Sequence, residues 1–138
     1  MAEHVIRAAV ADAGLADRVQ VSSAGTGGWH AGQGASGGTV RVLQAAGYPS
    51  AHRARQVSRS ILDSADLVLA ADGGHIRELQ DWGVRPEALR LLRSFDPDAT
   101  DDDVPDPYGR PDAAYREVLT MVVAATPGIV EEIRRRLA

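Results

Sequence analysis

The sequence predicts an α/β domain in which a parallel sheet is flanked by helices, a Rossmann-like three-layer sandwich. Segments with helical and strand-like periodicity alternate along the 138 residues, in the order helix, strand, helix, helix, strand, helix, strand, helix. Residues 67–71 are apolar throughout, which is typical of a strand covered on both faces of a parallel sheet. No repeat or long linker divides the chain, so residues 1–138 are expected to form a single domain.

Each element is predicted from its own local pattern. Residues 1–13 have helical periodicity, and residues 18–22 alternate as a strand does, with Val19 and Val21 on one side. Pro127 and Gly128 predict a kink or a break in the last helix. Four further helices are predicted: one over residues 39–46, one that begins after a capping Ser58, one over residues 75–81 and one that begins after a capping Asp112. Strands are predicted over residues 67–71 and 89–92.

Composition narrows the class of protein. The formal net charge is −4, which disfavours a nucleic-acid partner, and no apolar run approaches the length of a membrane span. We find no secretory signal pattern and expect a cytoplasmic protein. The chain has no cysteine, so it contains no thiol nucleophile and no thiolate metal site. The four histidines lack the paired spacing of a zinc helix, and neither a metal nor a cofactor is expected.

Residues 104–109 form the sharpest local motif. Pro107 disfavours the helical conformation at Asp106, so a carboxyl group between two prolines is held in an extended segment. Such a rigid, projecting acid could protonate a leaving oxygen. The segment could equally be an ordinary surface turn, because Asp, Pro and Gly are common turn formers.

Three further segments could bind a ligand, and each also has a plainer interpretation. The glycine-rich residues 23–28 could hold an anion with backbone amides, or could be a simple loop; Trp29 beside them could line a pocket or plug the core. Arg53 and Arg55 could clamp a phosphate, or could belong to a solvated face. An acidic run could bind a hard cation, although we interpret it as solvated charge: Asp96, Asp98, Asp101, Asp102 and Asp103.

Taken in order, several segments resemble the low-molecular-weight protein-tyrosine-phosphatase family. They are Met1-Ala2-Glu3 opening a helix, residues 21–26 with Gly28-Trp29-His30, residues 52–56, residues 66–70 with Asp72, Phe95-Asp96-Pro97 and Asp106-Pro107-Tyr108. The resemblance covers essentially the whole chain. It implies the phosphotyrosine-phosphatase type of parallel sheet and hydrolysis of a phosphotyrosine protein or a small aryl phosphate through a phosphocysteine intermediate.

The resemblance also implies roles for individual residues. Asp106 occupies the position of the general acid. Trp29 and Tyr108 stand where the family contacts its substrate. Ser23 and His52 match positions that support the phosphate loop through hydrogen bonds. The resemblance implies no cofactor.

The chain departs from the family pattern at its start. The family's first strand and its phosphate loop, which carries the nucleophilic cysteine and an arginine, are absent ahead of Met1. We therefore expect an N-terminally truncated domain that is inactive alone. The absent strand is central in the family, so a vacancy of roughly 10 Å is expected in the sheet. The exposed strand edges could then support a dimer.

Further departures and alternatives remain. Gly109 stands where a second tyrosine usually follows Asp-Pro-Tyr. The chain could be a non-catalytic pseudophosphatase or a binding module of the same fold. An arsenate reductase of this fold fits less well, because that activity needs several cysteines.

Overall fold

The computed structural model describes residues 1–25, 37–51 and 55–138. In these ranges the helices are α1 Ala2–Asp12, α2 Gly37–Ala45, α3 Arg59–Ser64, α4 Gly73–Asp81 and α5 Asp112–Leu137; the strands are β1 Val68–Ala70 and β2 Leu89–Leu91; and two 3-10 segments span Pro86–Ala88 and Leu92–Phe95. The helices expected over residues 1–13, 39–46 and 75–81 and the strands expected over residues 67–71 and 89–92 are confirmed, with shifted ends.

The two strands form a parallel pair. Val68 faces Leu89 and Ala70 faces Leu91 in the register. Helix α4 makes the crossover between the strands, which is the connection that parallel neighbours require. The α/β class predicted from the alternating pattern is therefore correct.

Side chains alternate along β1 between two hydrophobic clusters. Leu69 and Ala71 pack against a cluster formed mainly by α1, α2 and α5, in which Leu43 and Ile129 are completely buried. Val68 and Ala70 belong to a second cluster. That second cluster contains side chains of α3 and α4: Leu62, Ile76 and Leu79. Helices thus cover both faces of the strand pair, as in a three-layer sandwich.

The strand expected over residues 18–22 is not formed. None of these residues is assigned to a strand, and within the described ranges none of their backbone groups joins a sheet ladder. The carbonyl oxygen of Val21 instead accepts a hydrogen bond of 2.7 Å from Nη2 of Arg7. The alternation placed Val19 and Val21 on one side, and both are indeed partly buried against the main cluster, but a strand also needs a hydrogen-bonded neighbour.

Two expectations about the last helix are corrected. Helix α5 runs unbroken through Pro127, so of the kink or break expected there, the break is absent. The buried face of the helix continues past the proline to Ile129, whose burial in the main cluster stabilises the helix on both sides. Asp112 is the first helical residue rather than the cap, a position that Pro111 occupies.

The other caps follow the sequence. The hydroxyl of Ser58 accepts a hydrogen bond from the Ile61 amide at 3.2 Å, as expected for an N-cap. Asp72 caps α4 in the same way, through the amide of His75 at 2.8 Å. Among the helices in the described ranges, none has the length and hydropathy needed to cross a bilayer.

Candidate active site

The Asp106 loop is anchored at the carboxyl end of β1. The amide of Val104, a buried residue, donates to the carbonyl oxygen of Ala71 at 2.7 Å, one residue beyond the strand. The Asp103 carboxylate accepts from the amide of Gly73, at the start of α4, at 3.1 Å. Ligands of open α/β sheets bind at the carboxyl ends of the strands, so these two bonds place Asp106 at the edge where a site is expected.

Asp106 lies in a tight turn with its carboxylate exposed. Its Oδ1 accepts a hydrogen bond from the Tyr108 amide at 3.0 Å, and the Arg110 amide donates to the Pro107 carbonyl at 2.9 Å. Gly109 has a φ of 78°, a left-handed conformation that side chains other than glycine rarely adopt. The turn, one of the two alternatives at the level of sequence, is therefore formed, and the Asp106 carboxylate within it is exposed.

Tyr108 is adjacent to this acid and is 63% exposed. Its position follows from the Asp106 turn, since the two residues share the Asx-type hydrogen bond described above. An exposed phenol ring next to an exposed carboxylate suits a pocket rim. The structure thus brings together the two residues that the Asp-Pro-Tyr motif singled out.

The buried side chain of Arg93 holds the Asp106 loop through hydrogen bonds, a role that the sequence did not reveal. Its side chain is only 8% exposed, and Nη1 donates to Oδ1 of Asp101 at 2.7 Å and to the carbonyl oxygen of Asp103 at 3.0 Å. Oδ1 of Asp101 also accepts from the Asp103 amide at 2.9 Å. Asp101 and Asp103 therefore contact a buried guanidinium, which the interpretation as solvated charge did not include, although the Asp101 side chain is itself 68% exposed.

Ser23 lies beside the first turn of α1. Its hydroxyl donates to Oε1 of Glu3 at 3.0 Å, and Oε2 of Glu3 forms an ion pair with Arg7 at 3.1 Å. Nε and Nη2 of Arg55 each reach the Ser23 carbonyl oxygen at 3.4 Å. In the described part of the chain, no hydrogen bond or ion pair joins Ser23 to Asp106.

Two predicted site residues, Trp29 and His52, lie outside the described residues, as does Arg53.

The side chain of His4 holds the segment before His52. Sequence analysis did not identify His4 as part of the site. His4 is 3% exposed, and its Nε2 lies 2.7 Å from the carbonyl oxygen of Ala51. Because a carbonyl can only accept, Nε2 carries the proton and donates. Within the described ranges, no group of three or more metal-ligating side chains is assembled.

Comparison with known proteins identifies the family. The family model described as low molecular weight phosphotyrosine protein phosphatase matches residues 1–138. A low molecular weight protein-tyrosine-phosphatase of Streptomyces coelicolor is 45% identical over 142 aligned positions, covering 99% of this chain and 87% of the relative. Protein-tyrosine phosphatase A of Mycobacterium tuberculosis is 42% identical over 140 positions, covering 100% of this chain and 85% of the relative.

Solved structures agree with this assignment. The crystal structure of YfkJ from Bacillus subtilis has a TM-score of 0.89 and 30% identity, covering 98% of this chain and 86% of that one. A protein tyrosine phosphatase from Entamoeba histolytica has a TM-score of 0.90 at 24% identity, covering 99% and 89%, a likeness of fold. This chain belongs to the low molecular weight phosphotyrosine protein phosphatase family.

Proposed function

We propose that this chain is the body of a protein-tyrosine-phosphatase, a phosphoric monoester hydrolase acting on phosphotyrosine proteins or small aryl phosphates. The observation that carries the proposal is the Asp106 turn, which presents an exposed carboxylate at the carboxyl end of the sheet. Family membership supports the reaction class. The phenol of a tyrosine has a pKa near 10, so its departure as a phenolate is eased by proton donation, and Asp106 is the assigned general acid.

The other site residues complete the proposed arrangement. Tyr108 and Trp29 contact the aryl ring of the substrate, a role that the exposure of Tyr108 beside Asp106 supports. Ser23 and His52 support the phosphate loop through hydrogen bonds. The contact between Ser23 and Glu3 favours this role, because it lies at the N-terminal turn of α1, where backbone amides and the helix dipole attract an anion.

The nucleophile is the component that these 138 residues do not supply. The chain contains no cysteine, and a phosphocysteine cannot form without one. We assign the cysteine and the phosphate-binding arginine to a strand and loop outside this sequence, packed against the start of α1. The positive end of α1 would lower the thiol pKa and favour the attacking thiolate. The 138-residue chain is therefore expected to be inactive alone.

A graft tests this assignment. The first strand and cysteine loop of a family member are joined ahead of Met1, and hydrolysis of p-nitrophenyl phosphate is compared with that of the ungrafted chain. Turnover is expected only in the graft. In the graft, Asp106→Asn should lower kcat by about 100-fold or more with an aryl phosphate, since general acids contribute roughly 10²–10⁴.

The matched control is Asp102→Asn. Asp102 is an exposed aspartate four positions from Asp106, and in the described ranges its side chain makes no hydrogen bond or ion pair, so kcat should change less than about twofold. An Asp106→Asn graft that retains full kcat with p-nitrophenyl phosphate would remove Asp106 from the acid role.

A non-catalytic pseudophosphatase is the second candidate, and the absence of cysteine in these residues favours it. It requires that the 138-residue chain bind a phosphotyrosine peptide without hydrolysing it. Isothermal titration with that peptide, matched against its unphosphorylated form, separates the two candidates. Saturable binding to the ungrafted chain supports the second, and activity restored only by the graft supports the first.

The edge of the sheet is the proposed place for either the missing strand or a second copy of the chain. In the described ranges β1 has one hydrogen-bonded neighbour, and Val68 and Leu69 are only half-buried, unlike a central strand of a parallel sheet. A dimer paired through these edges should dissociate on dilution in sedimentation velocity runs. If the dimer is lost when the strand is grafted, the grafted strand and the second copy of the chain occupy the same edge of the sheet.

A further inference from the structure

A cavity of about 320 Å³ lies at the opposite end of the sheet from Asp106. Its wall includes Ala65, three residues before β1, and Ala88, immediately before β2. The Asp106 loop, in contrast, is bonded to Ala71 just after β1. Because the strands are parallel, the cavity is at their amino ends and is a separate site from the candidate active site.

The cavity wall combines an aromatic ring with charged groups. Besides the two alanines, the cavity is lined by side chains of α3 and of the segment that follows α4. They are Arg59, Leu62, Asp63, Trp82, Val84 and Arg85. The cavity wall contains two arginines and one aspartate, so its formal charge is positive. Leu62 and Val84 add apolar surface from the second hydrophobic cluster.

Arg59 and Trp82 are held against each other at the cavity wall. The guanidinium carbon of Arg59 lies 5.5 Å from the centre of the Trp82 ring, and Nη1 donates to the Trp82 carbonyl oxygen at 2.5 Å. The cation–π contact and the hydrogen bond together hold the guanidinium against the ring. A planar ligand that enters this cavity meets a surface whose rotamers are already set, which reduces the ordering cost of binding.

Arg85 is the group with spare donors. Its nearest ion-pair partner is Glu87, with Nη1 and Oε1 3.9 Å apart, beyond hydrogen-bond distance. In the part of the chain that the structure describes, the Arg85 side chain makes no hydrogen bond. A guanidinium with open donors at the rim of a cavity is suited to a bidentate contact with a carboxylate.

We propose that this cavity binds a small planar aromatic carboxylate, with the ring against Trp82 and Arg59 and the carboxylate on Arg85. Its volume lies at the lower end of the range for small-molecule sites, roughly 300–1,000 Å³, which favours a molecule with one or two rings over a peptide. The apolar side chains of the wall match the ring of such a ligand, and its guanidinium groups match the carboxylate.

The test uses the 138-residue chain and three probes at constant ionic strength: sodium benzoate, benzyl alcohol and cyclohexanecarboxylate. The backbone amide resonances of Trp82, Gly83 and Val84 and the indole N–H resonance of Trp82 are followed by ¹H–¹⁵N correlation spectroscopy. Benzoate is expected to shift these signals in a saturable way and to bind at least about fivefold more tightly than either of the other probes, each of which lacks one part of the recognised chemistry.

Arg85→Gln provides the decisive variant, because its side chain is 66% exposed and its loss should leave the fold intact. It should weaken benzoate binding by about fivefold or more, whereas Arg77→Gln, an exposed arginine of α4 outside the cavity wall, should leave the affinity within twofold. Shifts that remain linear in benzoate, equal affinity for benzyl alcohol, or equal loss in both variants would each overturn the proposal.

Discussion

Gly128 of α5 lies directly against the backbone of Phe95. A methyl group built at Gly128 would come within 2.4 Å of the Phe95 carbonyl oxygen and 3.1 Å of its Cβ. Contacts this short cannot be relieved by rotating a side chain, because the obstacle is backbone. The glycine therefore sets how closely α5 approaches the second 3-10 segment, next to the fully buried Ile129.

Gly128→Ala should lower the free energy of unfolding by about 1–3 kcal/mol, the usual range for overpacking. The effect opposes helix propensity, which favours alanine by about 1 kcal/mol. Urea unfolding measures the difference. The control is Gly73→Ala at the start of α4, where the new methyl would meet only Nη1 of Arg77 at an ordinary 3.5 Å. A loss as large in the control would show that close packing is not the cause.

Arg136 joins the end of α5 to the amino ends of both strands. Its Nη1 donates to the Asp66 carbonyl at 3.0 Å and its Nη2 to the Glu87 carbonyl at 2.6 Å, while Nε contacts Glu132 at 3.1 Å. Arg136→Ala should cost about 2 kcal/mol of stability, since hydrogen bonds from charged groups contribute roughly 1.5–3.

Arg134→Ala is the matched control for this prediction. It removes the same charge from the same last turn, but Arg134 is exposed and its side chain makes no hydrogen bond or ion pair in the described ranges. Its unfolding free energy should stay within about 0.5 kcal/mol of the original chain. Similar losses in both variants would point to the helix dipole rather than to the bridging contacts.

The Arg41–Asp112 pair predicts a pH-dependent contribution to stability. Nε and Nη2 of Arg41 donate to the two carboxylate oxygens of Asp112 at 2.8 and 2.7 Å. That hydrogen bonding, together with the Arg41 charge, lowers the pKa of Asp112. A lowered pKa in the folded state stabilises the fold above the unfolded aspartate pKa of about 3.9, and the contribution is lost as the pH falls through the folded value.

Arg41→Gln should therefore lower the melting temperature at neutral pH, and the difference from the original chain should shrink as the pH is taken below about 4. The Asp112 pKa, followed by NMR, should rise in this variant. Arg110→Gln removes an equal charge two residues before Asp112 without touching the pair. A difference that is constant with pH in Arg41→Gln, or that shrinks equally in Arg110→Gln, would contradict the assignment.

Arg93 predicts a local effect on the Asp106 loop. Arg93→Met keeps much of the buried volume but removes the donor to Asp101 and Asp103, and should cost about 2–3 kcal/mol. Hydrogen exchange at the Val104 amide should accelerate, because its bond to the Ala71 carbonyl belongs to the same network. The acceleration should exceed that in Arg136→Ala, which acts at the other end of the sheet; equal rates would indicate global destabilisation alone.

Sequence patterns were sufficient for β1 and β2 and for the turn at Asp106. Residues 67–71 and 89–92 are apolar enough to predict β1 and β2, and the Pro-Asp-Pro order indicated either a turn or a projecting acid, of which the turn is observed. These features depend on local conformation and on burial, and both can be predicted from residues that are close in the sequence.

Features that depend on distant partners were not predictable in the same way. Nothing near Arg93 distinguishes a buried arginine from the exposed ones, because its burial is set by Asp101 and by the Asp103 carbonyl. Pro127-Gly128 reads locally as a helix break, yet the close approach to Phe95 requires a glycine inside a continuous helix. Alternation over residues 18–22 described exposure correctly but could not show whether a paired strand lies alongside.

The alternation of side chains along β1 couples the two helical layers. Val68 and Ala70 belong to one cluster, while Leu69 and Ala71 pack against the other. If the helices on either side detached, one face of this three-residue strand would be exposed to water. So short a strand has too few ladder bonds to persist alone. Heat or urea should therefore remove both layers in a single cooperative transition, with tertiary and helical signals lost together.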